Sequence, residues 1–235
     1  MRLNEFTVPD PNLDEDWKST VAGLATAGAM ALGGGTAQAA RPIAQQTAAV
    51  QGAVAPAVNP EVAKIVGTVL KPSAKILIQT AQAAGIKGAE LAQLIAQCAH
   101  ETSNFTTLKE VGGKLDFRKY DPKFNPRKAA ILGNKMAGDG AKYHGRGFIQ
   151  LTGRDNYKRA GIALGLPLEK HPELVERPDI AAKVTVWFWQ QRVQPAVNNF
   201  NDTAQVTKPI NSGLRGLEDR HNKFAAIMQV MKPKV

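Results

Sequence analysis

From Pro72 onward, apolar positions recur at helical spacing. Ile76, Leu77, Thr80 and Ala84 predict a helix that opens at Pro72, a residue suited to a first turn, and closes at Gly85. Gly88 begins a second helix, whose stripe of Leu91, Leu94, Ile95 and Cys98 runs directly into His100 and Glu101. Thr102, Ser103 and Asn104 then end it, because their side chains compete for the backbone. Periodicity fades over 111–142, where Gly112, Gly113, Pro122, Pro126, Gly133, Gly138 and Gly140 predict loops. A small β-hairpin near Leu115–Tyr120 and a short helix near 126–132 are expected within them. In YHGRGFIQLTGRDNY, 143–157, Gly145 and Gly147 permit tight turns, and Phe148, Ile149 and Leu151 bury the segment. Gln150 and Thr152 alternate with Ile149 and Leu151, which predicts an extended strand with one polar face. Short helices follow Asn156-Tyr157. Pro178 starts a strong helix with Ile180, Val184, Trp187 and Phe188 at core positions. Residues 210–220, INSGLRGLEDR, form a turn into a last helix whose apolar face is Leu217, Phe224, Ile227 or Met228, and Met231.

Upstream the pattern changes. Glu61–Leu70 reads as a short helix opened by Pro60. Residues 1–18 are acidic and proline-bearing, which predicts an extended, poorly ordered lead-in. VAGLATAGAMALGGG, 21–35, is uncharged but weakly apolar, and falls short of the roughly 20 apolar residues of a spanning helix. Ala37-Gln38-Ala39 behind it imitates a signal-peptide cleavage site, although the preceding segment is long and acidic. Residues 1–59 are therefore expected to be a flexible Ala/Gly-rich segment for export, membrane contact or packaging, and 60–235 the folded domain.

Charge divides the chain in the same way. Residues 1–60 hold three basic and five acidic side chains, and 61–235 hold 27 basic and 15 acidic, so a net +12 resides on the domain. Such an excess points to an anionic partner: nucleic acid, an acidic membrane or an anionic polymer. The lone Cys98 excludes an internal disulfide and a cysteine zinc cluster, and its place on the apolar stripe makes it a small buried hydrophobe.

Glu101 sits at the edge of the apolar stripe, where partial desolvation suits a carboxyl group to proton donation near neutral pH. Glu110 follows nine residues later. A continuing helix would carry it about 13 Å away, so the two meet only if the chain turns back. The His100-Glu101 pair also suggests zinc, but a metalloprotease helix needs His four residues after the first, and Asn104 stands there. Neither a metal nor a cofactor is expected. The alternation at Gln150 and Thr152 suits a cleft floor, or simply a polar outer face. Asn211, before Ser212-Gly213, suits either a turn or a side-chain amide aimed into a cleft.

His100-Glu101-Thr102, Glu110, 145–153 (GRGFIQLTG), Asn156-Tyr157, and 210–213 (INSG) with Asp219-Arg220 together resemble glycoside hydrolase family 19, the chitinase-like lysozymes that include many bacteriophage endolysins. The resemblance covers roughly 61–231. It implies a mainly α-helical, lysozyme-like α+β fold with a small β element beside the cleft. It implies Glu101 as general acid, Glu110 as general base and Thr152 positioning the attacking water. His100, Tyr143, Gln150, Asn156 and Asn211 would contact the sugar. The chain departs from the family between Glu110 and Tyr143, so Asp116 and Asp139 remain fallback bases.

Glycoside cleavage with inversion needs one protonated carboxyl for the leaving oxygen and one ionised carboxyl for a water on the opposite face. Peptidoglycan carries carboxylates and chitin does not, so a +12 domain with only 6% aromatic residues in the chain favours peptidoglycan. The expectation is a monomeric, phage-encoded muramidase acting at the bacterial cell wall. It would be made in the host cytoplasm or carried in the virion, with residues 1–59 making any membrane or virion contact. Chitinase is the nearest alternative. A basic virion or nucleic-acid-binding protein on the same fold is the more distant one, and the basic residues lack the dense runs and interleaved aromatics that nucleic acid requires.

Overall fold

The structure is a computed structural model and describes residues 72–231. The expected helix at Glu61–Leu70 and everything proposed for residues 1–59 lie outside the described residues. Eight α-helices carry the fold: α1 (Pro72–Ala83), α2 (Gly88–Glu101), α3 (Pro126–Ile131), α4 (Asp139–Lys142), α5 (Arg154–Leu164), α6 (Pro178–Phe188), α7 (Thr203–Thr207) and α8 (Leu217–Met231). The expected starts at Gly88 and Pro178 fall where glycine or proline punctuation put them, and α1 is helical from Pro72, the first described residue.

Two long helix pairs make the core. α1 lies on α6, and α2 lies on α8, with α7 closing the end of the second pair. Leu77, Ile78 and Ala81 of α1, Leu91, Leu94 and Ile95 of α2, and Val184 and Phe188 of α6 are buried. Cys98 is buried on the same face, and desolvation pushes its thiol well above the usual range, so it behaves as a small hydrophobe. Only Phe224 and Ile227 of the expected α8 face are fully covered, and Arg220 shares that face with them.

α2 is buried on more than its apolar stripe. Glu90, Gln93, Gln97 and Glu101 recur at helical spacing and form a second, polar stripe. Each member finds a partner on another element, as a buried polar group must. Glu90 Oε1 accepts from Trp189 Nε1 at 2.9 Å and from Gln194 Nε2 at 2.6 Å. Gln93 Nε2 donates to Thr203 Oγ1 at 3.0 Å, and Gln97 Nε2 to Thr207 Oγ1 at 3.1 Å. The stripe thereby fixes α2 against the end of α6, against α7 and, through Arg220, against α8.

After Glu101 the chain reverses. Ser103, Asn104 and Phe105 take φ of 49°, 58° and 61°, three consecutive left-handed residues without a glycine. Each costs about 1–2 kcal/mol in isolation, so the turn needs support. Thr102 supplies it: its hydroxyl donates to Cys98 O at 2.6 Å and accepts from Phe105 N–H at 2.9 Å. Phe105 then packs edge-on against Phe148, with ring centroids 5.9 Å apart. The reversal lays 108–110 beside 145–147: Glu110 N–H donates to Gly145 O at 2.9 Å and Gly147 N–H to Leu108 O at 2.8 Å.

Two sequence expectations need correction. Leu115–Tyr120 is not a hairpin; Asp116–Tyr120 is a 3-10 helix with Phe117 and Tyr120 turned inward. The stretch from Phe148 to Thr152 is not a strand. Arg146 and Leu151 exchange hydrogen bonds at 3.1 and 2.8 Å around a tight turn, in which Gly147 and Gln150 have φ of 76° and 53°. The β element is therefore two bridges, Lys109 to Arg146 and Arg146 to Leu151.

The reversal generates a prediction. Thr102→Val keeps the shape but strands a buried Phe105 N–H, so unfolding in urea should show a loss of about 1–3 kcal/mol. An unchanged midpoint would mean that the turn does not depend on this hydroxyl.

Candidate functional site

Glu101 ends α2 with 2% of its surface exposed, and the guanidinium of the fully buried Arg220 donates to its Oε1. The same guanidinium donates to Gln97 Oε1, one turn earlier. The apolar surroundings expected for Glu101 are thus half of the picture, because its other neighbours are polar and cationic. His100, beside it, is half-buried and hydrogen-bonds through Nδ1 to Asp219 Oδ2 at 2.6 Å. Its ring rests on Gly216, where a Cβ would lie 2.1 Å from the imidazole Cε1. Both residues at the end of α2 are therefore held by the start of α8.

Glu110 is 4% exposed and accepts three hydrogen bonds. Lys119 Nζ reaches Oε1 at 2.9 Å, Tyr120 Oη reaches the same oxygen at 3.1 Å, and Gly145 N–H reaches Oε2 at 2.9 Å. An ionised carboxyl group can accept from all three donors at once. The 3-10 helix that replaces the expected hairpin is what delivers Lys119 and Tyr120.

Gly145 is the meeting point of the proposed cleft floor. A Cβ there would lie 2.8 Å from Gln150 Oε1, 3.1 Å from Glu110 Oε2 and 3.4 Å from Thr152 Oγ1. Close approach, not backbone freedom, is what calls for glycine at this position. Gln150 and Thr152 do share a site, although a turn rather than strand alternation puts them there. Thr152 Oγ1 donates to Gln150 O at 2.9 Å, and Gln150 Nε2 donates to Gly147 O at 3.0 Å. Gln150 Oε1 is buried and has no hydrogen-bond partner among the described residues.

The remaining expected residues divide. Asn156, half-buried on α5, donates from Nδ2 to Thr152 O at 2.7 Å, which ties it to the cleft floor. Asn211 is buried, its backbone N–H is bonded to Thr207 O at 2.7 Å, and its Nδ2 has no partner among the described residues. Tyr143 is placed elsewhere. It is fully buried, its hydroxyl donates to Glu169 O at 2.9 Å, and it borders a cavity of about 530 Å³ whose lining includes Arg154 and Lys158 but neither Glu101 nor Glu110.

The fallback bases are occupied differently. Asp116 is exposed and accepts from Gly113 N–H at 2.8 Å. Asp139 is buried, and Arg154 grips it at 2.6 and 2.9 Å while Lys135 and Met136 donate their backbone N–H groups. Burial works to raise the Asp139 carboxyl, but the Arg154 hydrogen bonds and the two N–H groups outweigh it and hold it below the usual carboxylate range.

Sequence reasoning did not single out His144. Its ring stacks on Phe117 at 4.3 Å and 4°, and its Nδ1 lies 2.7 Å from Ala141 O. Burial lowers its pKa, so it is neutral near pH 7 and donates from Nδ1. Lys119 and Tyr120 were also missed, because no motif surrounds them. Gln97 had a weak signal, a polar residue at helical spacing among core positions, and Arg220 was part of the family resemblance with no role attached to it. Among the described residues no group of three His, Cys, Asp or Glu side chains is placed to hold a metal ion.

This arrangement can be compared with known proteins. The chitinase class I family of glycoside hydrolases matches residues 73–212. The chain belongs to glycoside hydrolase family 19. A family 19 domain-containing protein of Haemophilus influenzae is 32% identical, over 65% of this chain and 86% of its own length. An endochitinase of Arabidopsis thaliana is 34% identical over 53% of this chain, which spans only 40% of that protein. Among solved structures, chitinase C from Streptomyces griseus superimposes with a TM-score of 0.55 at 25% identity, covering 74% of this chain and 91% of the other. The family 19 protein is thus a glycoside hydrolase on a mainly α, lysozyme-like fold.

Asp139 provides a test by pH. Its depressed carboxyl contributes stability that is present above about pH 4 and is lost as pH falls through the folded-state value. Asp139→Asn should therefore lose about 2 kcal/mol at neutral pH, with the gap to the wild type closing under acid. Unfolding curves across pH 2–7 check this, and a gap that persists at the acid end would refute it.

Proposed function

We propose that this family 19 enzyme hydrolyses the glycan strands of bacterial peptidoglycan, an endolysin-like muramidase activity. Glu101 gives its proton to the leaving glycosidic oxygen. Glu110, ionised, takes a proton from a water that Thr152 positions, and that water attacks the anomeric carbon from the opposite face with inversion. Gln150, Asn156 and Asn211 contact the sugar with side-chain amides. Two of those amides have a buried atom without a protein partner, as a ligand-binding group should. His100 shapes the rim beside the acid.

The observation that carries the choice of substrate is the cationic setting of the base. Lys119, 39% exposed at its side chain, stands on Glu110 at the edge of a domain with 27 basic and 15 acidic residues from 61 onward. A carboxylate-bearing polymer is drawn to such a cleft, and neutral chitin is not. The enzyme is proposed to act as a monomer at the cell wall after phage-directed synthesis, with 60–235 as the catalytic unit and residues 1–59 serving delivery. The chitinase names of the relatives favour a second reading, in which chitin is the substrate.

Salt separates the two. Murein cleavage should weaken as ionic strength rises, because attraction between exposed charges is screened beyond a Debye length of about 8 Å at physiological strength. Chito-oligosaccharide cleavage should be slower and nearly indifferent to salt. Faster cleavage of chito-oligosaccharides, with murein left intact, would establish chitin instead.

A further inference from the structure

The surface beside the base carries a cluster that hydrolysis of a sugar bond does not use. Contrary to the expectation of scattered charge, residues 118–128 read RKYDPKFNPRK, five basic residues and one acid with Tyr120 and Phe124 between them. The acid, Asp121, is turned inward: it is 5% exposed and accepts the N–H groups of Lys123 and Gly138 at 3.0 and 2.6 Å. The cations gather around two rings. Arg118 and Lys123 stand 4.6 and 5.7 Å from the Phe124 ring centroid, and Lys119 and Lys128 stand 4.7 and 5.0 Å from that of Tyr120. Phe124 itself is 51% exposed. Lys119 and Tyr120 both touch Glu110, so the cluster is continuous with the candidate active site.

We infer that Arg118, Lys123 and Lys128 form a docking surface for the carboxylates of the peptide stems carried by the glycan strand. This rests on the peptidoglycan reading above. Arg118 and Lys123 stand exposed with Lys128 half-buried beside them, and a cationic surface of this kind attracts a polyanion. The cluster adjoins the base, so its anion must belong to the polymer being cut there. That favours stems hanging from the strand over a separate membrane or nucleic acid. The rings add a face on which a peptide backbone or an aliphatic stem residue can lie.

The test compares Arg118→Ser/Lys123→Ser/Lys128→Ser with the wild type on two soluble substrates: murein strands with their stems, and the same strands stripped by an amidase, which leaves free lactyl carboxylates. On stemmed strands KM should rise about tenfold with kcat kept, and on stripped strands the change should stay within about twofold. The charge-preserving variant Arg118→Lys/Lys123→Arg/Lys128→Arg should keep the wild-type KM, which excludes a folding defect. Equal penalties on both substrates, or none, would overturn the proposal. So would a larger penalty on stripped strands, which would move the contact to the lactyl group. Loss of binding to anionic phospholipid vesicles with unchanged murein kinetics would assign the surface to a membrane. A wild type that cleaves neither substrate would remove the peptidoglycan reading itself.

Discussion

Arg220 donates to Gln97 and to Glu101 from a position with no solvent exposure, and much of the molecule is arranged to allow it. A guanidinium in a core is tolerable only when its charge and its N–H groups are matched. Its N–H groups are met by the Glu101 carboxyl group at the end of α2 and the Gln97 amide one turn earlier, with α8 lying along α2. The polar stripe from Glu90 to Glu101 repeats the demand along the helix. Trp189 and Gln194, Thr203, Thr207 and then Arg220 answer it in turn. Such a network specifies one register of α2 against its neighbours, whereas an apolar stripe alone tolerates sliding. Glu101 is its last member and faces the turn that leads to the second carboxylate.

That turn determines where Glu110 can be. Three left-handed residues bring the chain back on itself, with Thr102 and the Phe105–Phe148 contact supporting them. Glu110 then meets donors from two directions: Gly145 N–H from the β bridge, and Lys119 with Tyr120 from the 3-10 helix. The two carboxylates are neighbours in sequence but have different keepers. Glu101 answers to a buried guanidinium on the last helix, and Glu110 to an exposed amine and a main-chain N–H. Different surroundings are what allow two carboxyl groups to take different parts in one reaction.

The helices were legible because their apolar periods and their Pro and Gly boundaries are local signals. Gly88, Pro126 and Pro178 each start the element expected of them. Asp116–Tyr120 was not legible, because Leu115, Phe117 and Tyr120 suit a short strand and a 3-10 turn alike, and burial of Phe117 and Tyr120 beside α4 decides between them. Phe148–Thr152 misled for a related reason: positive φ at a non-glycine, Gln150, leaves no mark in the pattern. Glu101, Glu110, Gln150 and Thr152 could be named because they lie in or beside recognisable motifs. Arg220 lies in the Asp219-Arg220 pair of the resemblance, but its contacts with Gln97 and Glu101, like those of Lys119 and Tyr120 with Glu110, are not encoded in spacing, and Tyr143, expected at the sugar, is buried with its hydroxyl on Glu169 O.

The central claim is that Glu101 is at once the terminus of a buried polar network and the proton donor. Unfolding free energies of Glu101→Gln, Arg220→Met and the double variant, read beside their murein cleavage rates, test both halves together. Glu101→Gln keeps the acceptor oxygen that the protonated acid presents to Arg220 and should stay within about 1 kcal/mol of the wild type, whereas Arg220→Met strands the buried acceptors on Gln97 and Glu101 and should lose about 1–3 kcal/mol. All three variants should be severely impaired in cleavage, and the two carrying Glu101→Gln inactive, stable or not. An Arg220→Met protein with wild-type stability, or a Glu101→Gln protein that still cleaves murein at near the wild-type rate, would contradict the account.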